Sequence, residues 1–179
     1  MVFGFLFNVF KIIPAILTSD LKEVKDKLQK LQGAADWIHI DILDGKFVDN
    51  KTVSLKQLKT IPLLRKFKAF LHLMVKDPIK LVKDAKSIKA KIVVGQIEMM
   101  PDQNQFVKAV KKNKMKVGLA LDYRSSVEKI NEALLKELDV ILVMMVKAGQ
   151  SGQKFKKERL EDVKKLKRLK VSARGRSSF

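Results

Sequence analysis

Three side chains with the chemistry of metal ligands lie in two short apolar runs. His39 and Asp41 are two positions apart in WIHIDIL (37–43), and His72 lies inside KAFLHLMV (68–75). On an extended backbone, residues two apart point to the same side, so His39 and Asp41 share a face. A polar pair on one side of a strand is costly if it is buried and idle. Two imidazoles and a carboxylate carried on neighbouring strands form a donor set for a divalent cation. Zinc or ferrous iron suits it best, with manganese or cobalt as alternatives. The first run breaks at Asp44-Gly45, a turn signal, and continues as a loop with Phe47 and Asn50. Asp44 reads as a turn former and Lys46 as a solvated cation.

A second candidate for chemistry is the loop Ala148-Gly149-Gln150-Ser151-Gly152-Gln153. Two glycines close together let backbone N–H groups approach an anion, and barrels often bind phosphate at loops late in the chain.

The elements that must position these residues alternate regularly. Strands are expected at Lys11–Leu17, from Trp37, at Lys68–Val75, Lys91–Ile97, Met115–Leu121 and Val140–Val146. Between them, helices are expected from Leu21 to Gln32, Val53 to Thr60, Asp77-Pro78 to Ser87, Gln103 to Asn113 and Val127 to Leu135, with a last one from Lys157 to Leu169. Thr18-Ser19-Asp20 offers caps for the first helix, Leu21, Val24, Leu28 and Leu31 recur at helical spacing, and Gly33 ends it. Alternation with short connections implies parallel strands and right-handed crossovers. The fold class is therefore α/β, six βα units of a TIM-type (β/α)8 barrel that is incomplete. Residues 1–10 read as an apolar N-terminal extension, 11–170 as the partial barrel, and 171–179 as an irregular basic, serine-rich tail.

The phrases IIPAIL, HIDILDGKFVDN, HLMVKDP, VGLAL and GQSGQKF, in that order, resemble the ribulose-phosphate 3-epimerases, metal-dependent (β/α)8-barrel enzymes of pentose-phosphate metabolism. The resemblance implies interconversion of D-ribulose 5-phosphate and D-xylulose 5-phosphate by proton abstraction at carbon 3. Asp41 would be base and metal ligand, and His39 and His72 would be the other ligands. His72, Met74, Met144, Gly149, Ser151 and Gly152 would meet the sugar-phosphate substrate. Four positions depart from the family pattern: Ala15 replaces a serine, Gln96 a histidine, Ala148 a proline and Gln150 an aromatic residue. The seventh-strand aspartate of the family, the opposite-face acid, has no counterpart in residues 171–179, so an inactive form is expected as readily as an active one. Two unpaired parallel edges would favour self-association. The alternative from the same barrel is a fragment that binds a sugar phosphate, or assembles with a partner, without turnover.

The net charge of +19 raises a third reading, a basic nucleic-acid-associated protein. The excess is mostly lysine spread over several helical segments, and no recognised nucleic-acid motif accompanies it, so no specific nucleic acid is expected. No apolar run approaches the roughly 20 residues of a membrane span. With no cysteine at all, disulfides and thiolate sites are excluded, which fits a cytoplasmic location.

Overall fold

A computed structural model describes residues 2–6, 9–150 and 152–175, with side chains for 12–150 and 152–169. Its centre is a parallel sheet of six strands in sequence order: β3 (Ala15–Ile16), β4 (Trp37–Leu43), β5 (Lys68–Met74), β6 (Ile92–Gln96), β7 (Lys116–Leu121) and β8 (Val140–Val143). Helices alternate with them: α1 (Leu21–Leu31), α2 (Leu55–Leu58), α3 (Val82–Ser87), α4 (Gln103–Lys112) and α5 (Arg159–Gly175). The sheet does not close; β3 and β8 are its ends.

Both faces of the sheet are covered, as parallel sheets require. Outward residues such as Ile38, Ile40, Leu71, Leu73, Val93, Val117 and Leu119 join the helices in the main core. Helix α1 contributes Val24 and Leu28, capped by the Asp20 side chain accepting from Lys22 N–H, and α4 contributes Phe106, Val107 and Val110. The inner face holds a smaller cluster of Phe70, Ile92, Val94, Ala120, Val140 and Leu142. Between β7 and β8 the strands approach so closely that a Cβ on Gly118 would lie 2.8 Å from the Val140 carbonyl oxygen.

Four expectations need correction. The segment Lys11–Leu17 is not one strand: Val9–Ile13 (β2) pairs antiparallel with Val2–Leu6 (β1), and only Ala15–Ile16 joins the parallel sheet. Pro14 separates them, having no N–H for a ladder, while its carbonyl accepts from His39 N–H at 2.8 Å. Much of the stretch 1–10, read as an N-terminal extension, is one arm and part of the other of a hairpin, which touches β4 through β2 and β8 through β1. The helix expected over Val127–Leu135 is two separate 3-10 turns, Val127–Lys129 and Glu132–Leu134, each started by its own cap, Ser126 and Asn131. The last strand stops at Val143 rather than Val146, and helical backbone continues to Gly175, inside the stretch expected to be irregular.

Candidate metal centre

Parallel register builds the site. Asp41 on β4 stands opposite His72 on β5, and His39 opposite Phe70, so His39, Asp41 and His72 fall on one face of two adjacent strands. His39 Nε2 lies 2.9 Å and His72 Nδ1 3.1 Å from the same oxygen, Asp41 Oδ1. Ligand atoms of the three residues all fall within 4.8 Å of one another, close enough to hold one metal ion. Both imidazoles are buried, while the Asp41 side chain keeps 15% exposure, so the cluster opens to solvent through its carboxylate.

The rings are held from behind. His39 stacks on Phe70, with centroids 4.8 Å apart, and meets His72 edge-on at 5.7 Å. Its far nitrogen, Nδ1, is buried with no hydrogen-bond partner among the described residues. On His72 the far nitrogen is partnered, 2.8 Å from Gln96 Oε1, and Gln96 Nε2 in turn donates to Glu98 Oε2 at 2.7 Å. Burial raises the Asp41 pKa, but the charge of His39, the hydrogen bonds from His39 and His72 and the charge of His72 outweigh it. The net result lies well below the ordinary carboxylate range. Asp41 is thus a carboxylate at neutral pH, acceptor-only and ready to bind a cation or take a proton. Two imidazole nitrogens and one hard oxygen converging on a point fit the coordination chemistry of a divalent transition metal.

The strand end carrying Asp41 is fastened by Thr52, whose hydroxyl donates to Asp41 O at 2.9 Å and accepts from Leu43 N–H at 3.0 Å. Asp44 shapes the following turn, accepting from Lys46 N–H at 2.9 Å and Lys76 N–H at 3.0 Å. Beyond it, Asn50 Nδ2 donates to Gly149 O at 2.7 Å, tying this loop to the one after β8. Gly149 has φ +85°, and a Cβ there would lie 2.8 Å from Val48 Cγ2, so only glycine fits this contact. Met74 is buried with Leu43 and Ala148, and Met144 packs on that cluster together with Leu17, Phe47 and Val48. A cavity of about 480 Å³ opens beside them, lined by Leu17, Thr18, Ser19, Asn50, Lys51, Gly149 and Gln150. Gly152 is exposed with φ +75°, and Ser151 lies outside the described residues.

The structure brings His39, Asp41 and His72 into one cluster and packs Met74 and Met144 into another, with Gly149 against Val48 beside it. From the sequence, Gln96 stands out only as a departure from the family pattern with no contact assigned, although it shares the face of β6 that His72 meets. Asn50 was placed on the loop without a partner; nothing local signals a bond to a carbonyl so far along the chain.

An open parallel α/β sheet with alternating helices and a two-histidine, one-carboxylate cluster on two adjacent strands defines a TIM-barrel-type protein with a site able to hold a metal ion. Comparison with known sequences narrows the class. The Ribulose-phosphate 3 epimerase family matches residues 11–177, and the chain belongs to that family. Among its relatives, the ribulose-phosphate 3-epimerase of Bacillus subtilis is 29% identical over 142 residues, covering 79% of this chain and 65% of the relative. The protein of the same name from Treponema pallidum is 30% identical, covering 78% and 64%. The cytoplasmic isoform from rice (Oryza sativa) is 32% identical over 148 residues, covering 78% and 63%. The chain therefore spans a little under two thirds of the length of these relatives.

Proposed function

We propose that this chain binds a divalent cation through His39 Nε2, Asp41 and His72 Nδ1 and acts on carbon 3 of a ketopentose 5-phosphate, interconverting D-ribulose 5-phosphate and D-xylulose 5-phosphate. The observation that carries the reading is the convergence of three donor atoms within 4.8 Å, on adjacent strands. Asp41, held ionised, takes the carbon 3 proton; its 15% exposure gives substrate access to the carboxylate alone. A bound cation supplies polarisation of the ketone and stabilisation of the charge that develops on its oxygen. The buried wall of Leu43, Met74 and Ala148 excludes water on one side of the reacting carbon. The loop at Gly149, fastened by Asn50, and Gly152 beyond it supply backbone N–H groups for the phosphate.

A second reading, binding of the sugar phosphate without turnover, is favoured by one observation. Among the described residues the cluster contains one carboxylate, whereas inversion at carbon 3 takes an acid on each face. One experiment separates the two. Metal content is measured on the purified protein, and ribulose 5-phosphate is incubated with it in D2O. Deuterium at carbon 3 together with xylulose 5-phosphate is the expected result. Deuterium without epimerisation leaves Asp41 as a working base lacking a partner. Substrate binding with neither means the non-catalytic reading holds; no cation and no binding overturns both. A cytoplasmic setting and a homo-oligomer formed across the sheet ends accompany this proposal, the latter read by sedimentation.

A further inference from the structure

We infer that Gln96 and Glu98 form a relay that fixes which nitrogen of His72 faces the cation. The inference rests on the metal reading above. The relay crosses three strands: His72 on β5, Gln96 at the end of β6 with Glu98 just beyond it, and the backbone N–H of Asp122 just past β7. Glu98 Oε1 accepts from Asp122 N–H at 2.8 Å, and Glu98 Oε2 accepts from Gln96 Nε2 at 2.7 Å. A carboxylate only accepts hydrogen bonds, so both of its oxygens require donors. The Gln96 amide must therefore point its NH2 group at Glu98, which leaves its oxygen, 2.8 Å away, for His72 Nε2. That oxygen also only accepts, so His72 Nε2 carries a proton. Nδ1, which donates to Asp41 Oδ1 at 3.1 Å while no cation is bound, is then the nitrogen left to give its lone pair to a cation.

Burial makes this arrangement decisive. Gln96 is fully buried and His72 is 2% exposed, so water does not replace a lost partner cheaply. His39 has no such device, because its Nδ1 is unpartnered and its orientation depends on stacking against Phe70. Gln96 is thus a positioning residue: it acts on the cation through His72 and touches no substrate itself.

The test uses two variants, Gln96→Leu, which removes the acceptor at similar volume, and Glu98→Gln, which lets the Gln96 amide turn over and present NH2 to His72. Zinc affinity is measured by chelator competition, and the ring N–H groups are followed in 1H–15N spectra of histidine-labelled protein; the chain has two histidines, so assignment is direct. Wild type should show an exchange-protected Nε2–H on His72, with and without zinc. Both variants should lose that signal and bind zinc about 10–100-fold more weakly, with circular dichroism unchanged. Retention of the signal and the affinity in both variants, or a wild-type His72 protonated on Nδ1 when zinc is bound, overturns the relay. A wild type that shows the protected Nε2–H but binds no divalent cation overturns the metal reading, and leaves the relay's hold on His72 standing.

Discussion

Replacing Asp41 by Asn keeps the shape of the side chain and an oxygen at the same place, but removes the formal charge on which two imidazoles converge at 2.9 and 3.1 Å. Loss of a group that merely supports a ligand costs about 10–100-fold in metal affinity, so loss of the charged ligand itself should cost at least about 100-fold, or ~2.7 kcal/mol. Linkage converts this into a thermal shift. At a zinc concentration of about 100 times the wild-type Kd, binding stabilises the wild type by ~2.7 kcal/mol, and a variant with Kd raised about 100-fold by only ~0.4 kcal/mol. At about 2–4 °C per kcal/mol for a chain of this size, zinc should raise the wild-type Tm by roughly 5–11 °C and that of Asp41→Asn by about 1 °C. Asp44→Asn is the control, since Asp44 is a nearby carboxylate that holds a turn through Lys46 N–H and Lys76 N–H. It should lower the metal-free Tm and keep the full zinc response. Asp41→Asn retaining most of the zinc shift, or Asp44→Asn losing it equally, refutes the assignment of Asp41 as the charged ligand.

Three further outcomes follow from the same geometry. The Asp41 carboxylate is held below its ordinary pKa in the fold, so below about pH 4 the unfolded chain takes up a proton that the folded chain refuses, and stability falls. Urea denaturation at pH 5 and pH 3 should show wild type losing more than Asp41→Asn; equal losses contradict the shift. Gly118→Ala should cost about 1–3 kcal/mol in denaturant titration, because the new methyl meets the Val140 carbonyl at 2.8 Å and Val94 Cγ2 at 2.9 Å, and a backbone oxygen inside a ladder does not yield. Arg159 pairs with Asp162 at 2.6 Å and reaches Ser125 O at 2.9 Å and Asp122 O at 3.2 Å, fastening α5 to the loop after β7. Arg159→Ala should therefore cost about 3 kcal/mol and raise hydrogen exchange first in α5, whereas a uniform rise would place the bond outside the helix's anchorage.

What could be read from the sequence follows the physics of each segment. Strands β4 to β7 were legible because a strand buried on both faces admits little but apolar residues, and a histidine or aspartate inside such a run stands out. The start of α1 was legible because Asp20 caps it, and its end because Gly33 takes φ +81°. Val127–Leu135 misled because Val127, Ile130, Leu134 and Leu135 are all buried, a spacing that two 3-10 turns satisfy as well as one helix. Asn131 decides between them, its side chain accepting from Ala133 N–H at 3.0 Å and so competing with a continuous helical ladder. The hairpin of β1 and β2 carries no Asn-Gly or Asp-Gly turn signal, and an apolar run interrupted only by Gly4, Asn8 and Lys11 has no alternation from which a register could be read.

The gap between the cluster and the relay behind it has a different origin. His39, Asp41 and His72 could be grouped because two are on one strand and the third is on the next, so the period of two settles their common face. Gln96 needs one more fact, the register of β5 against β6, in which His72 stands opposite Val94 and Gln96 lies two residues further on the same face. That register is set by apolar packing across the sheet, and a slip of one residue would have turned Gln96 outward among the helices. A buried glutamine in an apolar strand is as costly unpaired as a buried histidine. The same argument that singles out His72 therefore applies to Gln96: each can be buried because the other is there, and the carboxylate of Glu98 decides which end of the amide the imidazole meets.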